Sequence, residues 1–238
     1  SHVYLAPVFA ARPGSTHGYD VTDPTRLSPE LGGEDGFRAM AAAFRAKGLG
    51  IVLDIVPNHM GIGGAANPYW LDVLANGPDS SFAHWFDIDW QAGGGRVILP
   101  VLGDGYGAAL ESGALELRAD GEDAYAVWAH DTHKLPVRPE DRAAIREAGV
   151  ETFRGGSLDA LIARQHWRPV KFSLERDGLN YRRFFAISDL ASLRVEDETV
   201  FEATQALALR LVNEGIVDGL RIDHIDGLAD PAGYVRAL

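Results

Sequence analysis

Leu49-Gly50-Ile51-Val52-Leu53-Asp54-Ile55-Val56-Pro57-Asn58-His59 is apolar almost throughout, with one carboxylate inside it and an imidazole just past its end. Residues 49–56 lack the alternation of a half-exposed strand, so they read as a strand buried on both faces, as in a parallel sheet. Just before it, Phe37, Met40 and Phe44 recur at helical spacing within residues 34–47, and Gly48 stops that helix. The same phrase returns late in the chain. Residues 196–213 carry Val200, Ala203, Leu207 and Leu211 on one face, Gly215 ends the helix, and residues 216–222 run into Asp223-His224. Helix, glycine, apolar strand, Asp, His, twice over, is the rhythm of an α/β protein, either a βα barrel or a doubly wound sheet.

Working outward, residues 2–9 form another short apolar run, closed by Pro7 and then by Arg12-Pro13-Gly14. It reads as a buried strand followed by a loop. Between the two repeated phrases, about 130 residues (60–189) break the rhythm, far more than an ordinary βα connection. Residues 1–59 and 190–238 are therefore expected to form one unit, with 60–189 inserted into it as an α+β subdomain. Within the insert, 86–90 and 97–102 flank Gly93-Gly94-Gly95 and read as a hairpin. Residues 115–119 and 124–129 flank Asp120-Gly121 and read as a second. Ser157 is placed to cap a helix running to about His166. Trp70, Trp85, Trp90, Trp128 and Trp167 all fall in this stretch, where they are expected mostly to build a core.

The 22 Lys and Arg against 34 Asp and Glu give a net charge of −12, which argues against a nucleic-acid backbone as partner and suits a neutral or cationic ligand. Cysteine is absent, so disulfides and thiolate metal sites are excluded, which is compatible with a reducing cytoplasm. No apolar run approaches the roughly 20 residues that span a bilayer, so no membrane partner is expected. No Gly-rich phosphate loop follows a strand, which opposes a nucleotide-binding protein. Both ends look cut, and a piece of a longer protein is expected.

Three constellations carry chemistry. Asp54, Val56 and Asn58 share one side of their strand, and His59 follows at its C-terminal end, where parallel barrels place their active sites. Arg221 and Asp223 are two apart and point the same way; a guanidinium beside a carboxylate keeps it ionised and oriented, as a nucleophile needs. In Ser15-Thr16-His17-Gly18-Tyr19-Asp20 a tyrosine beside a glycine can stack on the apolar face of a sugar ring. Each also has a structural alternative: a backbone-bonded Asp with a loop His, a buried ion pair, a packing tyrosine.

Taken together these residues resemble the α-amylase family of retaining α-glucan enzymes. Asp54-Ile55-Val56-Pro57-Asn58-His59 resembles its first conserved region, Gly219-Leu220-Arg221-Ile222-Asp223 its second, and His17-Gly18-Tyr19 its tyrosine loop. Finer likeness is to the family's maltooligosyl trehalose synthases, through Ala11–Val21 positions such as Pro13-Gly14-Ser15-Thr16, then Asn76-Gly77-Pro78, Arg164-Gln165-His166-Trp167 and Asn180-Tyr181-Arg182-Arg183-Phe184-Phe185. Asp226-Gly227-Leu228 and Asp230-Pro231 extend it. The resemblance implies a partial (β/α)8 TIM barrel, about strands 2–4, with the large insert after barrel strand 3. It implies a maltooligosaccharide or α-1,4-glucan substrate and intramolecular transglycosylation to an α,α-1,1 linkage, with no cofactor and no metal. Asp223 would be the nucleophile and Arg221 its orienting partner. His59, Tyr19, His17 and His224 would bind substrate, with Asp54 bracing Arg221 and Asn58 behind them. A hydrolytic α-amylase or α-glucosidase shares the first three motifs, and a non-catalytic carbohydrate-binding piece is the other alternative. Ala186-Ile187-Ser188-Asp189 departs from the family's Asp-Ile/Val-Asn-Asp, and the family's general-acid Glu and third carboxylate lie on later strands, beyond residue 238.

Overall fold

The apolar runs do become strands, and the amphipathic runs between them become helices. A computed structural model describes residues 1–176 and 178–238. In chain order these residues form β1 His2–Leu5, β2 Phe9–Ala11, β3 Val21–Leu27, α1 Gly33–Arg45, β4 Gly50–Ile55, β5 His59–Gly61, α2 Pro68–Asn76, β6 Val97–Leu102, α3 Tyr106–Glu111, β7 Leu115–Ala119, β8 Tyr125–Ala129, β9 His133–Pro136, α4 Arg142–Ala148, α5 Gly156–Ile162, β10 Trp167–Lys171, β11 Leu190–Ser192, α6 Glu198–Asn213, β12 Gly219–Ile222 and α7 Pro231–Ala237. They divide into two compact units. One is Ser1–Ile62 with Asp189–Leu238; the other is Gly63–Ser188.

The first unit is built on a parallel three-stranded sheet in the order β1-β4-β12. β4 is the central strand, and Ile51, Leu53, Asp54 and Ile55 are each 0–1% exposed. α1 packs Phe37, Met40 and Phe44 against it, while α6 contributes Leu207, Ala208 and Leu211. Fully burying a Leu or Phe side chain, as at Phe37, Leu207 and Leu211, stabilises by roughly 1.5–3 kcal/mol relative to leaving it in water. Helix stops match the glycines: Gly48 and Gly215 both take φ near +70° (70° and 68°), the left-handed conformation glycine adopts without a Cβ penalty. The N-cap of α6 is Asp197, whose side chain accepts from the Thr199 N–H at 2.9 Å.

The outer strands differ from expectation. β1 and β12 are edge strands of this sheet, and their residues are half-buried or exposed rather than enclosed. Tyr4 in β1 is 53% exposed. β1 also ends at Leu5, and Phe9 begins a separate strand paired antiparallel with β3. Among the described residues no helix is long and apolar enough to cross a membrane.

The second unit holds an antiparallel sheet β7-β8-β9 and a parallel pair β6–β10. The hairpin around Asp120-Gly121 forms as expected, with Leu115 opposite Ala129 and Ala119 opposite Tyr125. Trp70, Trp85 and Trp167 are buried, and Trp70 meets Phe86 and Tyr181 edge to face at 4.9 and 5.5 Å. The hairpin expected around Gly93-Gly94-Gly95 does not form. Residues 86–90 make no strand with 97–102; instead β6 pairs in parallel with β10, Trp167 opposite Val97. Asn180 takes the place of a partner strand. Its Oδ1 accepts from the Ile98 N–H at 2.8 Å, and its Nδ2 donates to the carbonyls of Asp89 and Arg96, both at 2.9 Å. One amide thus satisfies backbone groups that a hairpin ladder would otherwise pair. Ser157 is a second correction: it lies inside α5, whose N-cap is Gly155, and its hydroxyl donates back to the Thr152 carbonyl at 2.8 Å. At the departure noted at 186–189, Ser188 Oγ accepts from Arg183 and donates to Glu175 at 2.8 and 2.9 Å, so the substituted position keeps a polar network.

Candidate active site

The site is assembled at the C-terminal ends of β4 and β12. Parallel pairing sets Arg221 directly opposite Asp54. The ladder continues one residue past β12, because the Asp223 N–H donates to the Ile55 carbonyl at 2.9 Å. At the other end of the strand, Asp218 accepts from the Ile51 N–H at 2.7 Å and from Arg45 at 2.8 Å. β12 is thus pinned at both ends, and the direction of Arg221 and Asp223 is fixed by register.

Arg221 Nη1 donates to both oxygens of Asp54, at 3.1 and 2.8 Å, and to Asp223 Oδ1 at 2.6 Å. Asp54 is fully buried, Asp223 keeps 17% of its side chain exposed, and Arg221 keeps 47%. One carboxylate therefore faces inward and holds the guanidinium, and the other faces outward with an accessible edge. Asp54 and then Asp223 hold the guanidinium well above its ordinary protonation range, so it stays a cation.

Asp54 also accepts from two phenols. Tyr4 and Tyr19 donate to its Oδ2 at 2.5 and 2.7 Å, and their own oxygens lie 3.2 Å apart. A buried carboxylate is tolerated when its lone pairs are used in this way. Tyr19 is held above its ordinary 10 by hydrogen bonding with Tyr4 and with Asp54, so it remains a neutral donor. Tyr4 is shifted the same way, chiefly by Asp54.

The Tyr19 loop is locked from behind. Gly18 has φ +80°, and a Cβ there would sit 2.3 Å from the Pro7 carbonyl oxygen, so no other residue fits without displacement. Ser15 Oγ donates to Asp20 at 2.5 Å and accepts from the Gly18 N–H at 3.1 Å. His17 Nδ1 accepts from the Tyr19 N–H at 3.0 Å, and its ring lies 6.0 Å from the Tyr19 ring at 29°. His17 alone among the expected site residues lines a cavity of about 400 Å³ behind this loop, with Phe9, Phe37 and Met40 in its wall.

His59 is 1% exposed. Its Nε2 lies 3.1 Å from the Tyr19 carbonyl, which can only accept, and the Asn58 amide approaches Nδ1 at 3.3 Å. A neutral ring with its proton on Nε2 satisfies both contacts. Burial pushes its pKa down to about 4, against the opposing pull of the Tyr19 carbonyl and the negative charge of Asp223. His224 adopts the left-handed conformation at φ 50° and reaches Asp226 at 3.5 Å. A Cβ on Gly227 would lie 2.4 Å from the His224 ring and 2.8 Å from Asn58 Oδ1, so that glycine lets the two side chains come together. Asn58 Oδ1 is buried with no hydrogen-bond partner among the described residues. Among the described residues no group of three or more His, Asp or Glu side chains is arranged to hold a metal ion.

The structure thus brings Asp54, Arg221, Asp223, Tyr19, His17, His59, Asn58 and His224 into one connected cluster in the first unit. Tyr4 joins them and escaped sequence reasoning, because a tyrosine in a short apolar strand carries no motif of its own. What places it is the parallel pairing of β1 with β4, which the sequence does not show.

The α-amylase catalytic-domain family model matches residues 1–108. A curated protein of Mycobacterium tuberculosis, provisionally named a maltooligosyl trehalose synthase, is 46% identical over 240 aligned positions, covering 100% of this chain and 28% of that protein. The solved maltooligosyltrehalose synthase of Arthrobacter ramosus superposes with a TM-score of 0.84 at 42% identity, covering 99% of this chain and 29% of its own. An intracellular maltogenic amylase of Bacillus subtilis is 38% identical over 104 residues, 44% of this chain and 16% of that protein. The chain spans less than a third of the length of each of these relatives. Fold, motifs and similarity converge: the chain has an α-amylase-family fold and is similar along its whole length to part of the maltooligosyl trehalose synthases.

Proposed function

We propose that these residues form part of the catalytic centre of a maltooligosyl trehalose synthase. Residues 1–59 and 190–238 are read as about strands 2–4 of an eight-stranded βα barrel, with 60–189 inserted after barrel strand 3. The enzyme acts in the cytoplasm on maltooligosaccharides, moving the reducing-end glucose from an α-1,4 to an α,α-1,1 linkage. The observation that carries this is Arg221 bridging buried Asp54 and accessible Asp223 at the ends of neighbouring parallel strands. Asp223 Oδ attacks the anomeric carbon, the bond to the leaving O4 breaks, and a glutamate from a later strand protonates that oxygen. The freed glucose then attacks the glycosyl-enzyme through its own anomeric hydroxyl, returning its proton to that glutamate and releasing Asp223. Two displacements retain configuration. His59 and His224 bond the reacting sugar, Tyr19 and His17 supply a face for it, and Asn58 stands behind His59.

The competing hydrolytic reading draws on the maltogenic amylase, whose similarity reaches 44% of the chain; similarity to the synthase runs through all of it. Product analysis decides between them. The full-length protein carrying this segment, given maltopentaose, should consume the reducing end without shortening the chain. Asp223→Asn should lower that rate by at least about 10³-fold. Glucose and maltose as main products, or an active Asp223→Asn protein, would reject the assignment. The 238 residues alone should not turn over, because lacking the acid costs about 10²–10⁴-fold.

A further inference from the structure

The second unit contains a basic cavity that the glucan chemistry does not use. It has a volume of about 460 Å³, in the range of small-molecule sites, and Arg96, Arg168 and Lys171 all line it. Most guanidinium groups of this acidic chain are tied up in ion pairs, such as Arg38, Arg45, Arg138, Arg164, Arg210 and Arg221. The three cations of the cavity take part in none among the described residues; Arg96 makes only a long 3.5 Å contact to the Ala163 carbonyl. Arg168 and Lys171 are three apart on β10, a spacing that sends side chains to opposite faces of a regular strand. The β6–β10 register shifts between Pro169 and Lys171, and both side chains line the same cavity.

The remaining lining defines the ligand. Among the described residues Asp159 is the one carboxylate lining it, and it already accepts from the Tyr106 hydroxyl at 2.7 Å. Burial and Asp159 hold Tyr106 in its neutral form. Ile162 and Leu174 supply apolar wall. Three like charges around one concavity repel each other until an anion enters, and guanidinium forks match phosphate oxygens in pairs. We infer that this cavity is a binding site for a phosphate monoester, its oxygens held by Arg96, Arg168 and Lys171 and its organic part against Ile162 and Leu174. Nothing in the glucan site is needed for it.

Calorimetric titration of the 238-residue protein with phenyl phosphate and with inorganic phosphate, at fixed ionic strength, tests the assignment. Phenyl phosphate should bind saturably with one-to-one stoichiometry, and inorganic phosphate more weakly. The Arg168→Gln/Lys171→Gln double variant should weaken phenyl phosphate by about tenfold or more, one charge-assisted pair being worth that much. Arg154→Gln, an exposed arginine of the same unit outside the cavity, should leave it unchanged. Amide NMR shifts of wild-type protein should cluster at Tyr106, Asp159 and residues 167–171, which reads out the site even if a variant misfolds. Absence of saturable binding overturns the inference, as do equal loss in Arg154→Gln, shifts elsewhere, or inorganic phosphate binding as tightly as the ester.

Discussion

Two parallel strand pairs, β4–β12 and β6–β10, each carry an arginine facing away from the strand core, and their surroundings put it to opposite use. Arg221 stands opposite Asp54 and two residues from Asp223, and it donates to both. Arg168 stands opposite Ile98, with no acid in its register, and lines a cavity beside Lys171. Both pairs are parallel, although the register shifts in β6–β10 and not in β4–β12. What the neighbouring strand supplies decides whether a guanidinium becomes an internal clamp or an outward receptor.

Removing the clamp's acceptor should produce the largest effect. Asp54→Ala strands two phenols and a guanidinium that share one buried carboxylate. Breaking a buried pair from one side costs about 3–5 kcal/mol, and the half-exposed Arg221 puts the expectation near 3 kcal/mol. Urea denaturation of the chain measures it. A loss under about 1 kcal/mol would mean the cluster is worth no more than a surface pair.

Next comes the imidazole beside the clamp. His59 has a folded pKa of about 4 against an ordinary value of 6.5. Its folded form stays neutral while the unfolded chain takes up a proton, so stability falls as pH drops from about 6.5 to 4. The full span corresponds to about 3 kcal/mol at most, at 1.36 kcal/mol per pH unit. His59→Gln should flatten that part of the stability profile. An unchanged slope would assign the acid sensitivity to other groups.

Smaller still is the share of each phenol. Tyr4→Phe and Tyr19→Phe should each cost about 1 kcal/mol, the net worth of one hydrogen bond. Because both donate to Asp54 Oδ2, the double variant should depart from additivity by about 0.5 kcal/mol or more. Strict additivity in a double-mutant cycle would show that the two donors are independent.

Much of this clamp could be read from the sequence, but not all. The two-residue step from Arg221 to Asp223 guarantees a shared side, and the apolar run around Asp54 signals a central strand. Their pairing does not follow from spacing, since Asp54 and Arg221 are 167 positions apart and only strand register joins them. Tyr4 was invisible for the same reason. The failed hairpin near Gly93 shows the limit from the other side: turn chemistry there is local and correct, yet Asn180, 82 positions from Ile98, supplies the pairing instead. Burial of β1 was overestimated because periodicity reports apolar character, whereas exposure depends on which strands lie beside it. The basic cavity was hidden by averaging, because a net charge of −12 says nothing about where the positive groups sit.

The least effect should come from the second arginine. Arg168→Gln/Lys171→Gln removes two exposed cations that hold no ion pair among the described residues, so folding stability should change by less than about 0.5 kcal/mol. The sign is informative. Like-charge repulsion around the cavity predicts a slight stabilisation that fades as salt is added, because screening already relieves it. Denaturation in low and high salt separates the cases. A destabilisation near that of Asp54→Ala would mean these cations support the β6–β10 pair from within, and the contrast between clamp and receptor would fail.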